Sequence, residues 1–593
     1  MLAAEPLSVA GLAPSERDRV VVTALADEQG REIVVSRFGD SVWDLSSQIR
    51  SPNISENKKR VRWDRLQIPE ALLNDVKIAL YSWFKRGRTN VKSATALTLA
   101  GAVAQGIGVL EYLRDRGIRN FDEVRPLHMT DYVNHLRSKG ELAPRSLMHK
   151  FLIIDVCAHF SAELQHPFVV DPWGGQPLTM FCGHTRLENR VGKTPVIPPQ
   201  IQAALFQHCE KVLSNSDTIL DRHASGAHYS NGDLAHLEIR DAALYVLLIT
   251  TGMRISEAAG VKSGSWRTEI RSGQNFHWVA TTEFKTNKGR VDFLATPETI
   301  RALEVVERWA MPLQKDLAAE RRAIEVALAG HYPEPCSTTL LNGMTKVMAI
   351  QRLATVKSIE GNLFLGRVSH KKLRVDVLST TASSYRLKKL AEQAGVSWSI
   401  SNHQCRRTFA WLVAQSRFGP RSLIFLKWQF KHNSMSMTEL YASNPLQDST
   451  LFDEVYLELV SAKSQLIEGW FEDTQYLSGG GGRKIMQMRS IRVESRKSLL
   501  VHTATHVNIR ATGHGWCLAE QRGCVGEGPY EYSRCVNCNS GVIDESNHET
   551  WQGIHEQNLE LLKINDCGPA VVQRAEREVA RSGQVLQELG WER

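Results

Sequence analysis

The sequence predicts a mainly α-helical protein of several domains with one small β-sheet, and three observations carry that reading. Apolar residues recur at steps of three and four along most of the chain. Only residues 277–295 show two strand-like runs joined by turn chemistry. The 593 residues also exceed the roughly 250–300 at which single cores stop growing. With 42% hydrophobic and 23% charged residues the balance is that of a globular chain, which excludes wholesale disorder.

Other classes are set aside on similar grounds. No continuous apolar run approaches the roughly 18 residues of a spanning helix, so no membrane association is expected. The N-terminus lacks a basic start followed by an apolar segment, and the ten cysteines are scattered, as suits a reducing compartment. A cytoplasmic, bacterial protein is expected. The net charge of +8 and pI near 8.9 permit a polyanionic partner without requiring one.

The elements follow in order. Residues 1–75 mix short apolar runs with charge and form an extension without an assigned role. Residues 76–185 are helical: Val103, Ile107, Leu110 and Leu113 share one face, and Gly117 ends that helix. Thr130 suits the N-cap of a helix carrying Val133 and Leu136, and Ser146–Leu164 aligns Leu147, Phe151, Ile154 and Ala158. Residues 186–198, with Pro195, Pro198 and then Pro199, read as a linker into a helix at Gln200–Leu213. The largest region, 199–470, opens with a buried helix at Ile239–Thr250. Strands at His277–Lys285 and Arg290–Ala295 then flank a hairpin turn. Helices follow at Tyr385–Gln393, Arg406–Ala414 and Arg421–Lys427, whereas 313–378 resists reading and is treated in part as an insertion. Leu451, Val455, Leu459, Ala462 and Leu466 form a stripe suited to packing on its own domain or on a neighbouring protomer. Residues 471–482, ending in four glycines, read as a flexible hinge, and 483–593 as a separate basic, Cys-containing module.

Chemistry concentrates in the third region. It offers Arg254 in TGMRISE, Lys285 at the hairpin, His403 and Arg406 in HQCRR, His432 in FKHNS and Tyr441 in MTELY. This series resembles the tyrosine recombinase (phage integrase) family. There an Arg in a TGxRxSE context, a hairpin Lys, HxxR, and a His nine residues before a nucleophilic Tyr form one site. Here His432 precedes Tyr441 by nine residues and His403 precedes Arg406 by three. The resemblance spans about residues 75–470. It implies a helical, SAM-like core-binding domain at 76–185 and an α+β catalytic domain at 199–470, with the C-terminal appendage beyond. Cys405, Arg407 and Phe430-Lys431 depart from the commoner HxLRHT and LGH patterns. Cys405 still packs as a small apolar group, while Arg407 and Lys431 add positive charge.

Residue chemistry fits that resemblance. A hydroxyl that attacks a backbone phosphate and keeps it as an ester conserves the bond energy of the cut strand. Two guanidiniums, Arg254 and Arg406, suit the charge that grows on the non-bridging oxygens. A phenol with pKa near ~10 needs a proton acceptor, and the departing 5′-oxygen needs a donor. The resemblance implies Lys285 as general acid, preferred over Lys288 because it ends the first strand, His403 as base or orienting group, and His432 as hydrogen-bond donor to the phosphate. It requires no catalytic cofactor.

In the C-terminal module, Cys517, Cys524, Cys535 and Cys538 raise a structural zinc, weighed against reduced thiols, because only Cys535–Cys538 has CxxC spacing. Six basic residues against one acid in 483–497 suit DNA contact or a solvated helix. The expected activity is site-specific recombination for a mobile element, on double-stranded DNA at specific sites, as a homo-tetramer with companion recombinases. The rivals are a type IB topoisomerase-like enzyme and a non-catalytic accessory subunit.

Overall fold

The computed structural model describes residues 6–590 except 28, 89–92, 141, 184–193, 225–233, 272–273, 285–288, 331, 333–340, 342, 369–370, 416–448, 490–506, 508, 520–531 and 565–567. Helices dominate, with small antiparallel sheets between them, as expected.

The first 75 positions form two strand pairs, Val21–Ala26 with Glu32–Arg37 and Val42–Asp44 with Arg60–Arg62. Ribbons this short bury little by themselves. They therefore rest on the helix Glu70–Arg86, where Phe38 meets Tyr81 at a ring separation of 6.0 Å, while Trp43 meets Trp63, just after the second pair, at 4.9 Å. Lys77 of that helix lies beneath the layer, its Nζ 5.0 Å from the Phe38 ring centre and 5.7 Å from that of Trp43. One apolar core consequently runs from Val9 to Cys182, so the extension and the helical region share an interior.

Three further long helices belong to that lobe, Ala96–Asp115, Pro126–Ser138 and Pro144–His159, with the short turn of helix Leu178–Phe181. The second begins four residues before the expected Thr130 cap. Pro126 occupies its first turn, where a missing N–H costs nothing, and Thr130 instead donates to the Pro126 carbonyl from inside the helix at 3.2 Å. Against the expectation from apolar runs, Ala96–Asp115 has the length and composition to cross a membrane. Half of its most apolar window is buried inside the lobe, where it packs along Pro144–His159.

The second lobe is built round the helix Leu234–Thr251, whose residues Ala242–Leu248 are fully buried. Helices Pro199–Ser214, Pro297–Ala329, Thr380–Gln393 and Asn402–Gln415 enclose it. The Pro-rich segment does not run free, since Ile197 is buried and its N–H donates to Thr408 Oγ1 at 2.9 Å. The sheet has three strands, Trp266–Arg271, Gln274–Glu283 and Gly289–Ala295, one more than the sequence pattern indicates. The unread stretch resolves into the continuation of Pro297–Ala329 through Pro312, a helix Lys346–Ile359, and a hairpin of Leu365–Val368 with Lys371–Val377. Arg352 ties these together, giving Nε and Nη2 to Glu320 at 2.8 Å each and Nη2 to the Val375 carbonyl at 2.7 Å.

The helix Ser449–Trp470 packs on Asn402–Gln415 of the same chain and continues into the C-terminal module. There the indoles of Trp470 and Trp516 both donate to Asp544 Oδ2, at 2.9 and 2.7 Å. The expected hinge is instead structured: Gly479–Met488 is a helix whose first turn is the glycine run. Side chains are excluded there by backbone, since a Cβ on Gly480 would lie 2.7 Å from the Cys538 carbonyl oxygen and one on Gly481 2.8 Å from that of Gly541. The glycines are thus a packing seam. The basic stretch behind them is also partly committed, with Arg483 bonded to Glu588 at 3.0 Å and Arg489 to the Trp470 and Gln475 carbonyls at 2.8 and 2.6 Å. Residues 490–497 of that stretch lie outside the described residues.

Candidate active site

The site begins where the buried helix Leu234–Thr251 stops. Gly252 has φ of +67°, a left-handed conformation that lets the chain turn at once, and Arg254 then caps the short helix Ile255–Ala259. Glu257, one turn into that helix, accepts the Arg254 N–H at 2.7 Å and its Nη1 at 2.7 Å. Burial pushes the Glu257 carboxyl above its ordinary range, and Arg254 and Arg406 pull it back.

Arg406 reaches the same point from Asn402–Gln415. Its Nη1 donates to the Gly252 carbonyl at 2.7 Å and lies 3.8 Å from Glu257 Oε2, with only 1% of the side chain exposed. The two arginines predicted from TGMRISE and HQCRR are thereby brought to one buried carboxylate. His403 stands one turn before Arg406 on the same helix and is exposed. Cys405 is fully buried, and burial pushes its thiol up to about 12, so it packs as the apolar group expected.

The remaining predicted residues, Lys285 with its rival Lys288, His432 and Tyr441, lie outside the described residues. The strands leading to the lysines are in place, with Glu283 paired to Gly289 across the hairpin.

Sequence reasoning did not single out Glu257 as a site residue, although it stands in the quoted motif, and it missed Glu454 entirely. Glu454, on Ser449–Trp470, accepts Arg406 Nε at 2.7 Å and lies 3.9 Å from Arg254 Nη2. Glu458, one turn further, holds Arg407 Nε at 3.0 Å, and Arg407 also donates to the Thr194 carbonyl. Arg407, expected only to add positive charge, is therefore a fastening between Asn402–Gln415 and Ser449–Trp470.

A sequence profile described as the phage integrase family matches residues 227–447, the stretch that contains both arginines and His403. That stretch is similar to a phage integrase family domain. Comparison with curated proteins returns no match. Among solved structures, the chain is similar to the XerH site-specific recombinase bound to palindromic difH substrate in a post-cleavage complex (11% identity, TM-score 0.34, covering 71% of this chain and 91% of that one). It is also similar to the XerA recombinase (13%, 0.19, 60% and 90%) and to the Tn1549 transposon integrase in complex with circular intermediate DNA (16%, 0.28, 64% and 97%). Within the matched stretch, Arg254 and Arg406 are set against Glu257.

In the C-terminal module, Cys535 is buried and its Sγ lies 3.3 Å from His514 Nε2, while Cys538 is exposed and Cys517 is half-buried. Among the described residues no three His, Cys, Asp or Glu side chains are grouped as a metal cage, and Cys524 lies outside them.

Proposed function

We propose that the protein is a site-specific DNA recombinase of a mobile element, an integrase or transposase, which cuts and rejoins DNA through a 3′-phosphotyrosyl intermediate. The observation that carries this reading is the convergence of Arg254 and Arg406 on Glu257, with His403 one turn from Arg406. Two permanently charged forks, held by a carboxylate from the buried side, suit a phosphate whose charge grows in the transition state.

In the proposed reaction the phenol oxygen of Tyr441 attacks the scissile phosphorus. The Tyr441 Oη–P bond forms, the P–O5′ bond breaks, and the strand's 3′-phosphate remains on the enzyme. His403 takes or orients the phenol proton, Lys285 gives a proton to the departing 5′-oxygen, and His432 donates a hydrogen bond to a non-bridging oxygen. A 5′-hydroxyl of the partner duplex then reverses these steps and frees Tyr441. Double-stranded DNA is the substrate, a homo-tetramer the working assembly, and companion recombinases its partners.

The test is covalent capture on a nicked suicide duplex made from the element's own ends. Wild type is expected to yield a 3′-linked adduct and Tyr441→Phe none. Site-bound protein without an adduct in either case would replace this reading with an accessory subunit.

We also propose a structural zinc on Cys517, Cys524, Cys535 and Cys538. Its support is the tight turn in which Cys538 N–H reaches the Cys535 carbonyl at 3.3 Å, and the donor chemistry of adjacent His514. Metal analysis of the full chain is expected to give about one zinc per chain, the number a single four-ligand site holds.

A further inference from the structure

Glu454 sits between the two arginines. One carboxylate oxygen accepts Arg406 Nε at 2.7 Å and the other lies 3.9 Å from Arg254 Nη2. A backbone phosphate shared by the same two guanidiniums would occupy that position, because a carboxylate and a phosphate edge present the same pair of anionic oxygens to a fork of N–H donors.

Three features distinguish this contact from simple support of the arginines. Glu257 already orients both guanidiniums from the interior, with 1% of its side chain exposed, so a second orienting carboxylate is redundant. Glu454 approaches from the open side, with 33% of its side chain exposed. Among the described residues these two carboxylates match the two guanidinium charges, whereas capture of a phosphate needs a surplus of positive charge.

We infer that Glu454 is an internal phosphate mimic: in the DNA-free chain it holds the pocket of Arg254 and Arg406 closed, and a DNA phosphate must displace the helix Ser449–Trp470 from that pocket. The inference rests on Arg254 and Arg406 being the phosphate ligands proposed above. Glu458 strengthens the closure without entering the pocket, since it fastens the same helix to Arg407.

The experiment uses the full chain and the variants Glu454→Gln, Glu454→Ala and Glu458→Gln, each checked for an unchanged thermal midpoint. Affinity is measured by anisotropy of a short fluorescein-labelled duplex at fixed salt, and covalent capture on the nicked suicide duplex. Glu454→Gln is expected to bind the duplex about tenfold more tightly, the effect of removing one competing charge-assisted hydrogen bond. Glu454→Ala should follow it, and Glu458→Gln should shift in the same direction but less. If Glu454→Gln tightens duplex binding while wild type captures no DNA, the cleavage chemistry falls and the competition stands. If wild type captures DNA through Tyr441 but both Glu454 variants bind or capture less, the chemistry stands, Glu454 is a positioning residue, and the inference is overturned. Unchanged binding in both Glu454 variants overturns it as well.

Discussion

Asn53 is bonded to Thr380, 327 positions away, through both its side chain and its main chain. Its Nδ2 donates to Thr380 Oγ1 at 3.2 Å, and its carbonyl accepts the Thr380 N–H at 3.1 Å. Asn53 is 2% exposed, and nearby Arg374 pairs with Glu56 at 3.0 Å. A segment that composition left without a role thus joins the first lobe to the start of a helix in the second.

Asn53→Ala is expected to destabilise the chain by about 1–2 kcal/mol, because it removes a buried side-chain partner while the main-chain bond remains. Glu56→Ala should cost no more than about 0.5 kcal/mol, since Glu56 is 46% exposed and water screens its ion pair. Thermal denaturation of the two variants side by side checks the contrast.

Arg352 and Glu320 form a buried two-pronged pair, with side chains 3% and 9% exposed. Arg352→Met is expected to cost about 3–5 kcal/mol by stranding Glu320, whereas Arg352→Met combined with Glu320→Leu should recover most of the loss. Denaturant unfolding of the single and double variants measures the coupling, and equal losses in both would contradict it.

Burial pushes Lys77 down to about 8, against the pull of Asp18 and Asp40. Between that value and its ordinary 10.5 the folded chain holds fewer protons than the unfolded one. Stability should therefore rise with pH across this window, by up to about 3 kcal/mol. The advantage of Lys77→Met over wild type should accordingly be greatest near pH 7 and shrink toward pH 10. Urea titrations followed by tryptophan fluorescence at the two pH values test the sign.

Gly480→Ala should destabilise the C-terminal module by about 1–3 kcal/mol, the cost of forcing an atom into packed surroundings, here the Cys538 carbonyl. A flexible hinge would be indifferent to the same change. Protease susceptibility of residues 449–590 and the thermal midpoint both report on it.

The boundaries between legible and hidden features have physical causes. Motif order made Arg254, His403 and Arg406 candidates because helix caps and i, i+3 spacing are local, and the burial of Ala242–Leu248 followed from its unbroken apolarity. Glu454 escaped because its partner Arg406 is 48 positions away and nothing in an isolated Glu distinguishes a buried-pair acceptor from a solvated face. Pro312 obscured a helix that runs through it, and the glycine run misled because close backbone approach and flexibility call for the same residue. Residues 1–75 were opaque because their strands are short and their core partner, the helix Glu70–Arg86, comes later.

The Asn53–Thr380 bond also imposes an order on biosynthesis. The first lobe can close its core once Cys182 has left the ribosome, but Thr380 follows roughly 200 residues later, about 10–40 s at ordinary elongation rates. Through that interval Asn53 lacks its partner Thr380, and Glu56 lacks Arg374 for nearly as long. Joining the two lobes is therefore a late event of synthesis, and its timing is set by translation of the stretch that ends in the hairpin Leu365–Val377.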